Sequence, residues 1–235
     1  MGRKQGFYEK YIKRPMDIVC ALAALIVFCW LYIIIAMLVR VKLGSPVIFK
    51  QPRPGRDEKI FILYKFRTMT DEQDENGNLL PDEVRLNKFG KALRATSLDE
   101  LPEAFNILKG DMSVIGPRPQ LVRDMVFMTP EQRQRHCVRP GLSGLAQTRG
   151  RNALSWDGKL AADLEYIRKI TLLGDVTIIF DTVKQVFFKE KGLEYSDVDE
   201  VDITDDFGDY LLKKGRVSQE EYDEKQIEAK RLLGV

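Results

Sequence analysis

A run of 22 residues without a charged side chain, from Ile18 to Val39, constrains this chain more than any other feature. At about 1.5 Å of rise per residue, a helix of this length reaches roughly 33 Å, enough to cross a hydrocarbon core of about 30 Å. The run could instead be a buried core helix of a soluble protein, but such helices rarely contain 22 consecutive uncharged residues. No small-residue cleavage site follows, because the chain continues with Arg40, Val41 and Lys42, so a signal peptide does not fit. The run therefore predicts a membrane anchor.

The flanks of this run leave its path open. Five basic residues precede it and five follow it, so the positive-inside rule gives no orientation. A spanning helix fits, and so does a re-entrant segment that enters and leaves on the cytosolic side. No Pro or Gly occurs from Ile18 to Val39, so nothing local forces a bend.

Composition excludes several classes of function. The net charge of +2 gives no global basic field for nucleic acid. The single histidine, His136, excludes a His-rich metal centre, and we expect it to be structural or on the surface. The three cysteines have no metal-like spacing and fit a reducing compartment or a membrane.

The chain divides by composition into four parts, and we expect an α+β fold. Residues 1–45 form the membrane-anchoring helix and its flanks, and residues 46–190 form a small catalytic domain of mixed helices and short strands. Val47–Phe49 and Ile60–Tyr64 read as strands separated by a break at Gln51–Gly55. Residues 173–188 fit an amphipathic helix that lies against a membrane surface. An acidic linker, 191–209, and a helical tail, 210–235, follow, with Tyr222, Ile227 and Leu232 as one apolar face.

Two adjacent acids, Asp99 and Glu100, stand in the segment richest in chemistry. Leu98, Leu101, Phe105 and Leu108 repeat at helical spacing, and Ser97 with Glu100 matches a capping box. In a second reading the helix starts at Pro102, with the acids just before it. Both acids could simply complement the helix dipole. The same placement suits a nucleophile towards phosphorus beside a ligand of a divalent cation.

Cationic residues in turns point to phosphate. Arg118 is fixed between two prolines, Arg94 lies five residues before Asp99, and further arginines flank prolines and glycines (Arg139, Arg149 and Arg151). Guanidinium forks suit phosphate oxygens, although a single arginine is usually a surface ion pair. Lys65 lies within an apolar strand, as a snorkelling residue or a site residue. Asp163 borders the apolar face of a helix that begins at Ser155, so it is either ion-paired or part of the site.

The motifs resemble, in order, those of the bacterial sugar transferases, the small monotopic phosphoglycosyl transferases. The resemblance covers roughly residues 7–190. Its motifs are Lys13-Arg14 with Asp17, Tyr64–Met69, Ser97–Pro102, Lys109–Ser113, Gly116–Pro119, Arg139–Gly141, Gly144–Gln147 and Gly150–Asn152.

This resemblance implies transfer of a sugar phosphate from a UDP-sugar to undecaprenyl phosphate, with release of UMP, at the cytosolic face of the bacterial inner membrane. It makes Asp99 the nucleophile of a covalent phosphosugar intermediate, with Glu100, beside Asp99, holding Mg2+. The resemblance assigns phosphate or nucleotide binding to a further set of residues, namely Lys65, Arg94, Arg118, Arg151 and Asp163. A membrane-bound hydrolase and a non-catalytic anchor remain the alternatives.

One departure concerns the apolar helix. Small members of the family break it with a Ser-Pro pair, and the matching positions here are Cys29 and Trp30. We expect the re-entrant path from the resemblance, although the sequence does not show how the bend is made. The tail resembles short bacterial oligomerisation modules, which implies a homo-oligomer.

Overall fold

The computed structural model describes residues 5–150, 154–187 and 206–234. Its strands are β1 Ile48–Pro54, β2 Ile60–Phe66, β3 Ser113–Ile115 and β4 Gly141–Ser143. Its first helices are α1 Lys13–Val27, α2 Cys29–Lys42, α3 Asp82–Arg85, α4 Lys88–Ala95, α5 Glu103–Lys109 and α6 Val122–Met125. The remaining helices are α7 Pro130–Arg133, α8 Leu145–Gly150, α9 Trp156–Arg168, α10 Leu172–Phe187, α11 Phe207–Lys213 and α12 Gln219–Leu233. A π-helical turn (Tyr8–Ile12) and 3-10 turns (Arg56–Glu58, Leu98–Glu100 and Gln134–Cys137) complete the set.

Mixed helices and strands confirm the expected combination of secondary structure. Strands β1 and β2 form one two-stranded sheet, and β3 pairs in parallel with β4. Strand β1 runs on to Pro54, so the break predicted at Gln51–Gly55 is wrong except at its last residue. A two-stranded sheet has only edge strands, and an edge strand tolerates proline because its missing N–H can face away from the partner. The turn lies at Gly55, whose N–H donates to the carbonyl of Lys59 at 2.9 Å.

The chain folds as two compact units. Asp17–Gln51 and Ile62–Lys109 form one, called here the Asp99 unit. The described residues before, between and after these two segments form the other, called the Asp163 unit. The predicted acidic linker lies largely outside the described residues.

The uncharged run is not one straight helix. Helix α1 ends at Val27, α2 starts at Cys29, and Phe28 between them leaves helical geometry with φ −100° and ψ 10°. Among the described residues, no single helix is long and apolar enough to cross a membrane. The segments Tyr8–Val27 and Cys29–Lys42 meet that criterion of length and composition only together, and they are bent by 65°.

Tertiary packing, rather than a helix-breaking residue, fixes the second half of the run. Ile35 and Val39 of α2 are buried against Phe66 of β2 and Leu93 of α4. The hydroxyl of Tyr32 donates to the carbonyl of Leu101. The sequence pattern could not predict this bend, because the residues that hold α2 in place lie 30 to 70 positions further along the chain.

Two apolar clusters organise the Asp163 unit. One surrounds Tyr166 and Ile167 of α9 and Ile178 of α10. Buried Asp175 joins it to the chain's first helical turns, because Asp175 Oδ2 accepts from the Tyr8 hydroxyl at 2.8 Å and from Lys13 Nζ at 2.5 Å. Helix α10 confirms the helix predicted over 173–188 in its described part. Its exposed apolar residues are Leu172, Leu173, Val176, Ile179, Phe180 and Val183.

The second cluster joins the tail to the domain. Phe207 of α11, only 1% exposed, packs with its ring centroid 5.0 Å from that of Trp156 in α9. Ala229 of α12 is buried in the same cluster, and Tyr222 packs beside it. The apolar face predicted for the tail is therefore partly wrong: Tyr222 belongs to it, whereas Ile227 and Leu232 are exposed.

Candidate functional site

Asp99 lies in the 3-10 turn Leu98–Glu100, just before α5. The capping-box reading is wrong, because Ser97 takes a left-handed conformation (φ 56°) and its side chain caps nothing. The second reading, which puts both acids just before the helix, is confirmed. Because a non-glycine residue rarely adopts a positive φ, Ser97 marks a local strain two residues before Asp99.

The buried face of α5 differs from the one that the apolar spacing indicated. The pattern that predicted Phe105 on the apolar face is wrong, since Phe105 is exposed. Instead, Glu103, Ala104, Asn106 and Ile107 are buried. The separate turn at 98–100 precedes this helix.

Asn106 fastens α5 to strand β2. Its amide oxygen accepts from the backbone N–H of Tyr64 at 3.0 Å, and its amide nitrogen donates to the carbonyl of Ile62 at 2.7 Å. The side chain is fully buried, and its amide bonds one N–H and one carbonyl of β2 as a neighbouring strand would. Lys65 follows directly in β2, so this contact sets the position of that lysine relative to the acids of the turn.

Lys65 binds carboxylates. Its ammonium lies 2.7 Å from Glu100 Oε1 and 3.3 Å from Glu103 Oε1. The charge in the apolar strand is therefore explained by ion pairs rather than by a side chain that reaches into water. The pair of Lys65 and Glu100 is partly buried, and charge-assisted contacts are stronger there than on an open surface.

Asp99 is buried, and its electrostatic surroundings act in opposite directions. Burial raises the pKa of its carboxyl, the charge on Lys65 opposes this, and the charge on Glu100 adds to it. Arg94 also lowers the pKa of Asp99, and its Nε donates to the hydroxyl of Thr68 at 2.9 Å. The structure thus brings together four predicted site residues, Lys65, Arg94, Asp99 and Glu100, within one unit.

Two other predicted residues belong to the Asp163 unit. Asp163 is 2% exposed, and its Oδ2 accepts from Arg135 Nε at 2.9 Å and Nη2 at 2.5 Å. Arg135 Nη2 also donates to the backbone carbonyl of Arg118 at 2.6 Å. Of the two interpretations of Asp163, the ion pair is observed. Arg151 lies outside the described residues.

The structure adds residues that the sequence reasoning missed. The sequence could have indicated Glu103 and Asn106, since both follow the acid pair within two helical turns. It could not have indicated Arg135, because its partners lie 17 and 28 residues away along the chain. His136 is buried and its pKa is lowered to about 3, chiefly by burial, so its imidazole is neutral.

Asp99 and Glu100 supply two adjacent carboxylates as the donor set of this turn. Across the described ranges, no group of three or more His, Cys, Asp or Glu side chains is arranged to hold an ion. Magnesium, however, is usually held by one or two carboxylates together with substrate phosphate oxygens and water. Asp99 and Glu100 offer that smaller set, so the residues fit a magnesium ion that arrives with a phosphorylated substrate.

Comparison with known proteins agrees with these motifs. The sequence model of the family described as bacterial sugar transferase matches residues 8–189. The uncharacterized sugar transferase EpsL of Bacillus subtilis is 48% identical over 179 residues, which are 76% of this chain and 89% of that protein.

Two longer relatives carry explicit reaction names. The UDP-N-acetylgalactosamine-undecaprenyl-phosphate N-acetylgalactosaminephosphotransferase of Aeromonas hydrophila is 38% identical over 184 residues, 75% of this chain and 44% of that protein. The UDP-glucose:undecaprenyl-phosphate glucose-1-phosphate transferase of Klebsiella pneumoniae is 38% identical over 193 residues, 76% of this chain and 40% of that protein. The chain thus spans less than half the length of these two relatives. The family match covers most of the chain, and the chain belongs to the bacterial sugar transferases, as a phosphoglycosyl transferase enzyme.

Proposed function

We propose that this enzyme transfers a sugar phosphate from a UDP-sugar to undecaprenyl phosphate and releases UMP, as the first membrane step of glycan assembly. The observation that carries the proposal is the buried carboxyl of Asp99 beside Glu100 and Lys65, in a chain whose named relatives catalyse this class of reaction. One named relative acts on UDP-N-acetylgalactosamine and another on UDP-glucose, so the test below uses a panel of UDP-sugars.

In the first step, a carboxylate oxygen of Asp99 attacks the β-phosphorus of the UDP-sugar. The bond from this phosphorus to the oxygen that bridges the two phosphates breaks, and its electron pair leaves with UMP. The sugar phosphate stays on Asp99 as an acyl phosphate. Lys65 and Arg94 offset the negative charge that gathers on the transferring group and on the leaving phosphate.

In the second step, a phosphate oxygen of undecaprenyl phosphate attacks the same phosphorus. The bond to Asp99 breaks, the carboxylate is regenerated, and the polyprenyl diphosphosugar leaves. Glu100, with Asp99, would hold Mg2+, which supplies charge neutralisation for the phosphate oxygens when it is bound. Arg118, Arg151 and Asp163 are the further residues that we assign to substrate binding, Asp163 through Arg135.

The apolar surfaces support a membrane location. Helices α1 and α2 expose large apolar residues, among them Ile26, Trp30 and Ile33, and α10 exposes an apolar face of its own. Exposed apolar areas of this kind mark membrane or protein contacts. We propose a re-entrant anchor at the inner membrane with the catalytic residues on the cytosolic side. We also propose that the protein self-associates through the tail.

Measurement of UMP release tests this function. With Mg2+ and a panel of UDP-sugars that spans acetamido and simple hexoses, we expect multiple turnovers only when undecaprenyl phosphate is present. Without that acceptor, release should stop after about one UMP per enzyme, because the phosphosugar remains on Asp99. Continuous UMP release without acceptor would instead identify a hydrolase.

The raised pKa of Asp99 predicts a pH dependence of the first step. Only the carboxylate attacks, so activity should fall as pH drops through a pKa above the ordinary aspartate value of about 3.9. Because Lys65 lowers the pKa of Asp99, Lys65→Met should move this midpoint to higher pH. The measurement is the pH profile of single-turnover UMP release without acceptor, which avoids titration of the acceptor phosphate.

A lysine elsewhere in the same unit provides the control. Lys91 of α4 is exposed, and Lys91→Met should leave the midpoint of the profile in place. If Lys65→Met lowers the rate but leaves the midpoint unchanged, the charge of Lys65 does not act on the group that titrates.

A further inference from the structure

We propose that Arg135 and Asp163 form a positioning pair that fixes the backbone of the Gly116–Pro119 turn and thereby holds Arg118 in place for a substrate phosphate. This inference rests on the proposed function, in which Arg118 binds that phosphate. Arg135 itself is a positioning residue, because it acts through Arg118.

Every residue of this turn makes a backbone hydrogen bond to a partner distant in the chain. The N–H of Gly116 donates to Ser143 O at 2.9 Å, and Pro117 O accepts from the N–H of Gly141 at 2.9 Å. Arg118 O accepts from Arg135 Nη2 at 2.6 Å, and Pro119 O accepts from Arg53 Nη1 at 3.1 Å. A turn bonded at four successive positions has little freedom to reorient the side chain that it carries.

Close approach of the backbones completes the arrangement. A Cβ atom added to Gly116 would lie 2.6 Å from Arg139 O, and one added to Gly141 would lie 2.1 Å from Gly116 N. Both distances are too short for any side chain, so glycine is required where the turn meets β4. The flanking prolines fix two of the remaining φ angles. The guanidinium of Arg135, which is 1% exposed, reaches this turn from the buried interior.

Stability alone does not explain a buried charge at this place. Arg135 is 1% exposed, and removing both ions of such a pair from water carries a desolvation cost that their attraction must offset. An apolar pair of similar volume would often stabilise a core as well. The planar fork of Arg135, however, bonds Asp163 and Arg118 O at the same time, which an apolar residue cannot do.

The charges near Arg118 point to an anionic ligand. Lys159 of α9 is half-buried, and its pKa is lowered by this burial and by the positive charge of Arg118, while the charge of Asp124 opposes this. Arg118 and Lys159 repel one another. A phosphate bound beside both cations would offset this repulsion. The direction in which Arg118 is held therefore matters for substrate, and not only for folding.

A double-mutant cycle tests the proposal on the full-length enzyme. Arg135→Lys keeps the buried charge but not the fork, and we expect it to lower kcat/KM for the UDP-sugar about 10- to 100-fold, the size of effect that a displaced binding group produces. Arg118→Ala should lower kcat/KM by a similar factor or more. In the Arg118→Ala background, Arg135→Lys should then have almost no further effect, since it has no arginine left to position.

Rates are normalised to the amount of UMP released in the first turnover, so that loss of folded enzyme does not count. Asp163→Asn keeps the shape of the pair and provides a second variant if Arg135→Lys does not fold. The control is Arg133→Lys, which disturbs a neighbouring ion pair with Glu58 and should leave kcat/KM unchanged.

Equal effects of Arg135→Lys in both backgrounds would overturn the proposal, as would an unchanged kcat/KM in the single variant. The proposed function fails in a different way: the unaltered enzyme would then release no UMP from any UDP-sugar in the presence of undecaprenyl phosphate.

Discussion

Asp99→Asn is expected to abolish turnover, with a loss of roughly four to six orders of magnitude, as for other enzymes that lose their nucleophile. The amide keeps the size of the side chain but lacks the charged oxygen that attacks phosphorus. Mass spectrometry after incubation with Mg2+ and a UDP-sugar should find a phosphosugar adduct on Asp99 in the unaltered enzyme and none in the variant.

An exposed acid in the same unit provides the matched control for this experiment. The side chain of Asp82 is 69% exposed and lies at the start of α3, so Asp82→Asn should keep full activity. Full turnover by Asp99→Asn, or an adduct found on another residue, would show that the nucleophile is assigned wrongly.

Phe207→Ala is expected to destabilise the Asp163 unit by about 3–5 kcal/mol, because it removes a fully buried aromatic ring and leaves a cavity. The ring packs against Trp156 and Tyr210, and the backbone N–H of Phe207 donates to buried Asp124 Oδ1 at 3.0 Å. Chemical denaturation of the purified protein, followed by tryptophan fluorescence, measures the change, since Trp156 lies in the affected cluster.

Ile227 serves as the comparison for this second experiment. It lies in the same tail but is 56% exposed, so Ile227→Ala should change the free energy of unfolding by no more than about 0.5 kcal/mol. Equal effects of the two substitutions would contradict the packing of the tail on the domain.

The sequence predicted the family and the grouping of four site residues better than the path of the chain. Ordered motifs placed Lys65, Arg94, Asp99 and Glu100 in one candidate site, and the structure brings these four side chains into one unit. Motifs of this kind carry such information because phosphate chemistry requires particular residue types. Helical spacing also identified α9 and its cap at Ser155.

Long-range contacts were beyond the sequence patterns. The bend at Phe28 depends on packing of α2 against β2 and α4, with no local breaker to reveal it. The chain makes a 3-10 turn before α5, and the buried face of α5 does not follow the spacing of the leucines. The ion pair of Arg135 and Asp163 joins residues on separate helical segments, so neither position alone indicated its partner.

The contact of Asp175 with Tyr8 and Lys13 can form only late in the synthesis of the chain. The partners are 167 and 162 residues apart, so the carboxylate leaves the ribosome long after the helical segments that it holds. At about 5–20 residues per second, this interval is roughly ten to thirty seconds. During that time the first helical turns exist without the carboxylate that later bonds to Tyr8 and Lys13. We therefore expect newly made chains to need an apolar environment, or a chaperone, until this contact has formed.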